Sequence, residues 1–221
     1  MTDGAGRGDE LFGVLDRMTV IFDAFDDGRG LGLSELASRA GLPKSTVSRI
    51  VSGLVRQRYL ERDGKLIYLG LRLFELGQMA EVPRELRAAA LPVMADLRTV
   101  TGETVHLAVP EGDRMVCIAI MRGRGSPADV SCIGASVPVR SSAWGAATLA
   151  PAAGVATRVD EPDPGFTWVA GAICPVGSGA IAALSLCGPS AGFDVDHAAA
   201  RIDEAARAVE RRLALRAHPT P

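Results

Sequence analysis

Lys44, Ser45, Thr46, Ser48, Arg49, Ser52 and Arg56 are the residues of this 221-residue chain whose types and spacing suit one definite chemistry, the recognition of a polyanion. Interleaved with them, Val47, Ile50, Val51, Leu54 and Val55 recur at i, i+3, i+4, i+7 and i+8, the apolar stripe of an amphipathic helix. At about 100° per residue, Ser45, Ser48, Arg49, Ser52, Gly53 and Arg56 fall on the opposite side. That face is small, hydroxylated and cationic, and it holds no carboxylate. Between Leu36 and Leu60 stand Arg39, Lys44, Arg49, Arg56 and Arg58 with no Asp or Glu, and the only two lysines of the chain, Lys44 and Lys65, both belong to this region. A local cationic face on a chain of net charge −2 is what phosphate binding requires.

The surrounding elements must hold this helix out to a partner. Pro43 suits a first helical position, where a missing N–H costs nothing. Upstream, a shorter helix is expected, with Ser34 as N-cap, Glu35 in the first turn, and Leu36, Ala37 and Ala40 inward. Gly41 supplies the left-handed residue that ends it, and Leu42 tucks back. After Tyr59 come two short strands joined by Asp63-Gly64, a strong two-residue hairpin signal, with Lys65 at its tip. Helix, tight turn, helix and hairpin together make a winged helix-turn-helix.

At these residues a family resemblance becomes specific. The string from Gly41 to Gly77, GLPKSTVSRIVSGLVRQRYLERDGKLIYLGLRLFELG, resembles the winged helix-turn-helix of IclR-type transcriptional regulators. That family carries a leucine-proline-lysine-serine-threonine run, a wing, and a leucine-rich linker helix ending in glycine. The resemblance extends more weakly to about Pro189. It implies a dimeric or tetrameric DNA-binding regulator whose carboxy-terminal domain senses a small metabolite. Ser34, Lys44, Ser45, Thr46, Ser48, Arg49, Ser52, Arg56 and Lys65 are the residues expected at the DNA.

Composition bounds the alternatives. A chain of this length holds one large or two small domains, and 48% apolar residues suffice for their cores. No apolar run approaches the ~20 residues of a membrane span, and the amino terminus has neither the basic start nor the apolar core of a signal peptide. A cytoplasmic protein is expected. Cys117, Cys132, Cys174 and Cys187 are scattered without a C-x-x-C pair, as buried thiols in a reducing compartment would be. His106, His197 and His218 have no metal-ligand spacing, and His106 alternates within an apolar strand as a core or pocket histidine would. No phosphate-cradling glycine loop or nucleophile elbow occurs. No enzyme activity, cofactor or metal is expected.

The rest of the chain reads in order. Residues 1–10 form a Gly- and Asp-rich tail expected to be disordered, and Leu11 to Phe25 a first helix with Leu11, Val14, Leu15, Met18, Ile21, Phe22 and Phe25 on one side. The winged domain spans 11–69, and a linker helix 70–82, whose Leu71, Leu73, Phe74, Leu76 and Met79 lie on more than one side. Either a partner subunit or its own domain would cover them. Pro83 ends the linker, and Arg84 to Val100 forms the next helix. Strands follow over Thr104 to Val109, Met115 to Met121, Val130 to Ile133, Val155 to Val159, Thr167 to Val176 and Ala180 to Leu186. A short helix capped by Ser141 or Ser142 runs through Leu149, and Val195 to Leu215 closes the chain. Helices flanking an antiparallel sheet give an α+β second domain over 83–217, with a tail at 218–221.

That second domain resembles the IclR-type effector domain over Val137 to Gly145 and again over Pro164 to Ala170 and Ala183 to Pro189. A capped helix start at Ser142, Ala143, Trp144 and Gly145 offers backbone N–H groups to a carboxylate. Ser185 could donate a hydrogen bond, and Trp144, Trp168 and Leu107 would form apolar walls. Two departures from the family stand out. Only Pro151 to Asp160 separate the pocket helix from the segment around Glu161, where the family has several tens of residues, so the domain is shortened. Trp168 occupies a position often held by a small residue. The expectation is a regulator, a repressor or an activator, of a metabolic or secondary-metabolic operon. It would bind a palindromic duplex as a dimer or tetramer and respond to a small organic (aromatic) acid or lactone. The alternatives are an effector-independent regulator with a vestigial pocket, and a ligand-binding module whose helix-turn-helix contacts protein.

Overall fold

A computed structural model of the chain describes residues 13–25, 29–124, 133–159 and 164–217. The chain divides into two units between Ala80 and Glu81. In the first, α1 (Val14–Asp23), α2 (Leu33–Ala40) and α3 (Lys44–Arg56) precede a hairpin of β2 (Leu60–Asp63) and β3 (Leu66–Leu69), and α4 (Leu71–Gly77) follows. A two-residue strand, β1 (Leu31–Gly32), pairs antiparallel with β3 and completes a sheet of order β1-β3-β2. Ile21, Leu31, Leu36, Val47, Val51, Leu54, Leu60 and Ile67 form the core.

Several expectations move slightly. Gly41 ends α2 in the left-handed region at φ 65°, with the Leu42 N–H reaching back to the Ala37 carbonyl. Ser34 is not the N-cap: Gly32 is, and Ser34 sits in the first turn. Pairing of Asp63 with Leu66 makes Gly64 and Lys65 the two loop residues of the hairpin, with Gly64 at φ 56°. A glycine at the first central position, with no positive φ at Lys65, is the type II′ pattern. In α1 only Ile21 is fully buried, and Val14 and Leu15 are exposed instead of facing the core. Leu11, residues 26–28 and the amino-terminal tail lie outside the described residues, as do Val130 to Cys132, Glu161 and His218.

In the second unit, α5 (Glu81–Thr101) starts earlier than Arg84, because Pro83 falls in the first turn where its missing N–H is tolerated. A six-stranded antiparallel sheet follows, from β4 (Thr104–Glu111), β5 (Arg114–Met121), β6 (Ser136–Pro138), β7 (Ala156–Val159), β8 (Phe166–Ile173) and β9 (Ala182–Pro189), in the order β6-β5-β4-β9-β8-β7. α6 (Ala143–Leu149) lies between β6 and β7, and α7 (Val195–Ala217) ends the fold. Alternate residues of the central strands divide between two cores. Val105, Leu107, Val169, Ile173, Leu184 and Leu186 pack with α5 and α7. Ala108, Cys117, Trp168, Ala170, Ala183 and Cys187 pack with Trp144 and Ala147 of α6. The fold is α+β.

Candidate nucleic-acid interface and candidate ligand site

α3 buries Val47, Val51 and Leu54 and turns Lys44, Ser45, Arg49, Ser52 and Arg56 to the surface, while Thr46 and Ser48 are half-buried at the edge of that face. Its start is tied to α2 by a hydrogen bond that Lys44 Nζ donates to Ser34 Oγ at 2.8 Å. Ser52 Oγ donates back to the Ser48 carbonyl at 2.8 Å, which leaves its lone pairs for an external donor. Exposed Lys65 sits at the hairpin tip.

Ion pairing separates the cations into two classes. Glu35 takes Arg29 at 2.8 Å and Arg39 at 3.1 Å, and Glu75 takes Arg58 at 2.9 Å. Lys44, Arg49, Arg56 and Lys65 have no carboxylate partner among the described residues. Of the five cations in the run from Leu36 to Leu60, Arg39 and Arg58 are therefore engaged inside the unit, and the three left over, Lys44, Arg49 and Arg56, are those of α3.

The end of α3 is also locked to α4. Arg58 adopts φ 65°, the Gly70 N–H donates to the Tyr59 carbonyl at 2.8 Å, and the Arg72 guanidinium lies 5.3 Å from the Tyr59 ring centroid. A β-carbon at position 70 would collide with the Arg58 carbonyl, so only glycine fits. Beyond that lock, α4 leaves Leu71 65% and Phe74 63% exposed, with Leu76 and Met79 also open. Contiguous exposed apolar side chains of this kind are characteristic of interaction surfaces in general.

In the second unit, the chemistry lies between α6 and the sheet. Ser142 is the N-cap of α6, and its Oγ accepts the Gly145 N–H at 3.0 Å. The Ala146 N–H goes to the Ser142 carbonyl at 3.0 Å. Gly145 is therefore not the free amide donor that the capped helix start suggested. Its role is steric, since a β-carbon there would collide with the Val139 carbonyl. Ala143 is buried against the same core.

Trp144 Nε1 donates to Ser185 Oγ at 2.7 Å, which uses a lone pair and leaves the Ser185 hydroxyl hydrogen for the donor role expected of it. The Trp144 ring meets Trp168 edge-on at 5.6 Å, and His106 lies 4.8 Å from Trp168 and 5.8 Å from Trp144. Both indoles are 5% exposed. Strand register explains the grouping, because His106 pairs with Ser185 and Ser185 with Ala170, while Trp168 pairs with Cys187 and with Arg158. Leu107 is corrected by the same register. It alternates with His106 and packs in the opposite core under α5 and α7. The residue on the indole side is His106, the core or pocket histidine expected from the alternation of this strand. Burial pushes the His106 pKa down to about 3, with the Arg122 charge adding to the effect, so its imidazole is neutral. Trp168 Nε1 is buried without a hydrogen-bond partner among the described residues. Among the described residues no group of His, Cys, Asp and Glu could hold a metal ion, and no helix is long and apolar enough to cross a membrane.

Residues 14–64 match the model of the IclR helix-turn-helix domain, and residues 80–153 match that of the bacterial transcriptional regulator IclR carboxy-terminal domain. The chain is 34% identical over 114 residues to the HTH-type transcriptional regulator KipR of Bacillus subtilis, covering 51% of this chain and 46% of that protein. It is 32% identical over 130 residues to the transcriptional repressor IclR of Escherichia coli, covering 54% and 45%. The match thus spans about half the length of each of these relatives. Among solved structures, an IclR homolog from Microbacterium hydrocarbonoxydans, complexed with 4-hydroxybenzoate, superposes with a TM-score of 0.82 at 25% identity, covering 92% of this chain and 99% of that one.

Proposed function

The chain belongs to the IclR family, and from that premise we propose that it is a sequence-specific DNA-binding regulator of a metabolic or secondary-metabolic operon, acting in the cytoplasm. The observation that carries the reading is the set of four cations, Lys44, Arg49, Arg56 and Lys65, left without carboxylate partners on one helix and one hairpin tip. α3 enters a major groove with Ser45, Ser48, Arg49 and Ser52 towards the base edges, and Lys44, Arg56 and Lys65 hold phosphates. Two copies, joined through the apolar side chains of α4, read a palindromic site.

The second unit is the sensor in this reading, and its ligand is a small, planar aromatic acid or lactone. Support comes from the indole and imidazole cluster against α6, and from the 4-hydroxybenzoate bound to the Microbacterium homolog. A regulator without an effector is the second reading, favoured by one observation: Trp144 already bonds Ser185 and both indoles are buried.

Fluorescence anisotropy with a labelled duplex tests the reading. Binding should weaken steeply with salt, as counterion release requires, and should favour one selected sequence over random duplex. Salt-insensitive retention, or none, would turn the helix-turn-helix into a protein-contact module. Titrating 4-hydroxybenzoate into the complex separates the two sensor readings: release of DNA supports the first, and no change in either affinity or tryptophan emission supports the second.

A further inference from the structure

A groove of about 380 Å³ lies between the start of α1 and the second half of α3. Met18, Ile50 and Leu54 give it an apolar floor, and Arg17, Arg49 and Arg56 rim it, with no carboxylate among the lining residues. Gly53 adds room, since a β-carbon there would meet nothing within 4 Å. Val14, the first residue of α1, also lines the groove and is 70% exposed. Arg49 and Arg56 meet no carboxylate among the described residues. Both also belong to the side of α3 opposite its apolar stripe, so the groove and the DNA-reading face share these two side chains.

We propose that the chain's own segment Asp9-Glu10-Leu11-Phe12 docks in this groove and competes with DNA for Arg49 and Arg56. The inference rests on the reading of α3 as the DNA-contacting helix. An occupant of an apolar floor with a cationic rim must carry apolar side chains and negative charge together, and these four residues do. Reach fits as well. The segment joins α1 through Gly13, next to Val14 in the groove, and four extended residues span about 13 Å. From Arg49 to Gln57, the part of α3 that lines the groove, the helix rises about 12 Å. Leu11 and Phe12 take the floor, and the two carboxylates meet the arginines. So short a tether gives an effective concentration of order millimolar, and a weak contact suffices. A second copy fits poorly, because a two-fold contact of this groove with itself would set arginines against arginines. A duplex reaches Arg49 and Arg56 only by displacing the segment, which lowers its affinity at every site.

Fluorescence anisotropy on the full chain, with a labelled random duplex at one fixed low salt concentration, tests the docking. The double substitution Leu11→Ser with Phe12→Ser leaves every charge in place and should tighten duplex binding at least threefold. Asp9→Asn with Glu10→Gln should tighten it by a similar factor. Arg17→Ala, on α1, should tighten binding about twofold although it removes a cation, because the segment loses part of its rim. Should Arg17→Ala not fold, the two double variants decide alone. Wild-type affinity in the Leu11 and Phe12 variant would reduce the segment to an undocked charge and overturn the proposal, as would weaker duplex binding by Arg17→Ala. Either result would leave α3 as the DNA helix. Failure of the wild type and all variants to bind any duplex would remove that reading and the docked segment together.

Discussion

The face of α3 and the face of α6 are opposites in how they treat polar groups. α3 buries an apolar stripe and holds its hydroxyls and its three cations outside, where none of the three meets a carboxylate among the described residues. α6 and the sheet beneath it bury Ser142, Ser185, His106 and two indoles inside, with Ser142 taking the Gly145 N–H and Ser185 the Trp144 indole N–H. The first arrangement costs little in folding and leaves charge available for a large polyanion. The second makes polar groups part of the core, so any ligand there must improve on bonds that already exist. A side chain on α3 can therefore be removed with loss of function alone, whereas one under α6 carries stability as well.

The largest effect expected from that contrast is at Trp144. Truncation to alanine removes a buried ring and leaves Ser185 without its donor, which should lower stability by about 3–5 kcal/mol. Thermal unfolding measures it, and a loss below about 1 kcal/mol would mean the indole is not a core residue. Acid comes next. Since the folded pKa of His106, about 3, lies below its ordinary 6.5, the folded state binds fewer protons between those values. The stability tied to this group is complete above pH 6.5 and falls as pH drops towards 3, at up to about 1.4 kcal/mol per pH unit. His106→Phe should shallow the acid limb by about one proton, and an unchanged limb would move its origin elsewhere.

Smaller effects belong to the first unit. Phe74→Ser on α4 should weaken self-association at least tenfold in sedimentation while leaving the melting temperature within a few degrees, because this ring is 63% exposed. A variant as dimeric as the wild type would place the subunit interface off α4. Lys65→Ala, at the hairpin tip, should weaken operator and random duplex alike and reduce the salt slope by about one ion. A loss confined to the operator would make Lys65 a base-reading residue.

The winged helix was legible because a 3.6-residue stripe, a left-handed Gly41 and a tight hairpin each constrain backbone locally. The two-residue β1 escaped notice because nothing in Leu31-Gly32 alternates, and only its pairing with Ile67 and Leu66 makes it a strand. Ser34 and Gly32 show the same limit at a helix start, where either could cap. Under α6, period-two alternation is readable in β4, but which parity faces which layer is not. Leu107, expected at the pocket wall, faces the other core for that reason, and His106, expected as a core or pocket histidine, is the β4 residue beside the indoles. Which arginines are free was equally hidden, because Glu75 and Arg58 are brought together by α4 packing on the end of α3.

The most direct test of the central claim, that the exposed face of α3 reads DNA sequence, is the ratio of affinities for a selected operator and a random duplex, measured at one fixed salt concentration for the wild type and for Arg49→Ala. Arg49 is exposed, has no carboxylate partner among the described residues, and lies on the cationic face. The variant should lose about 1–3 kcal/mol on the operator and much less on random duplex, so that the ratio falls about tenfold or more. A ratio identical to that of the wild type, with the fold intact, would contradict the placement of α3 against the bases.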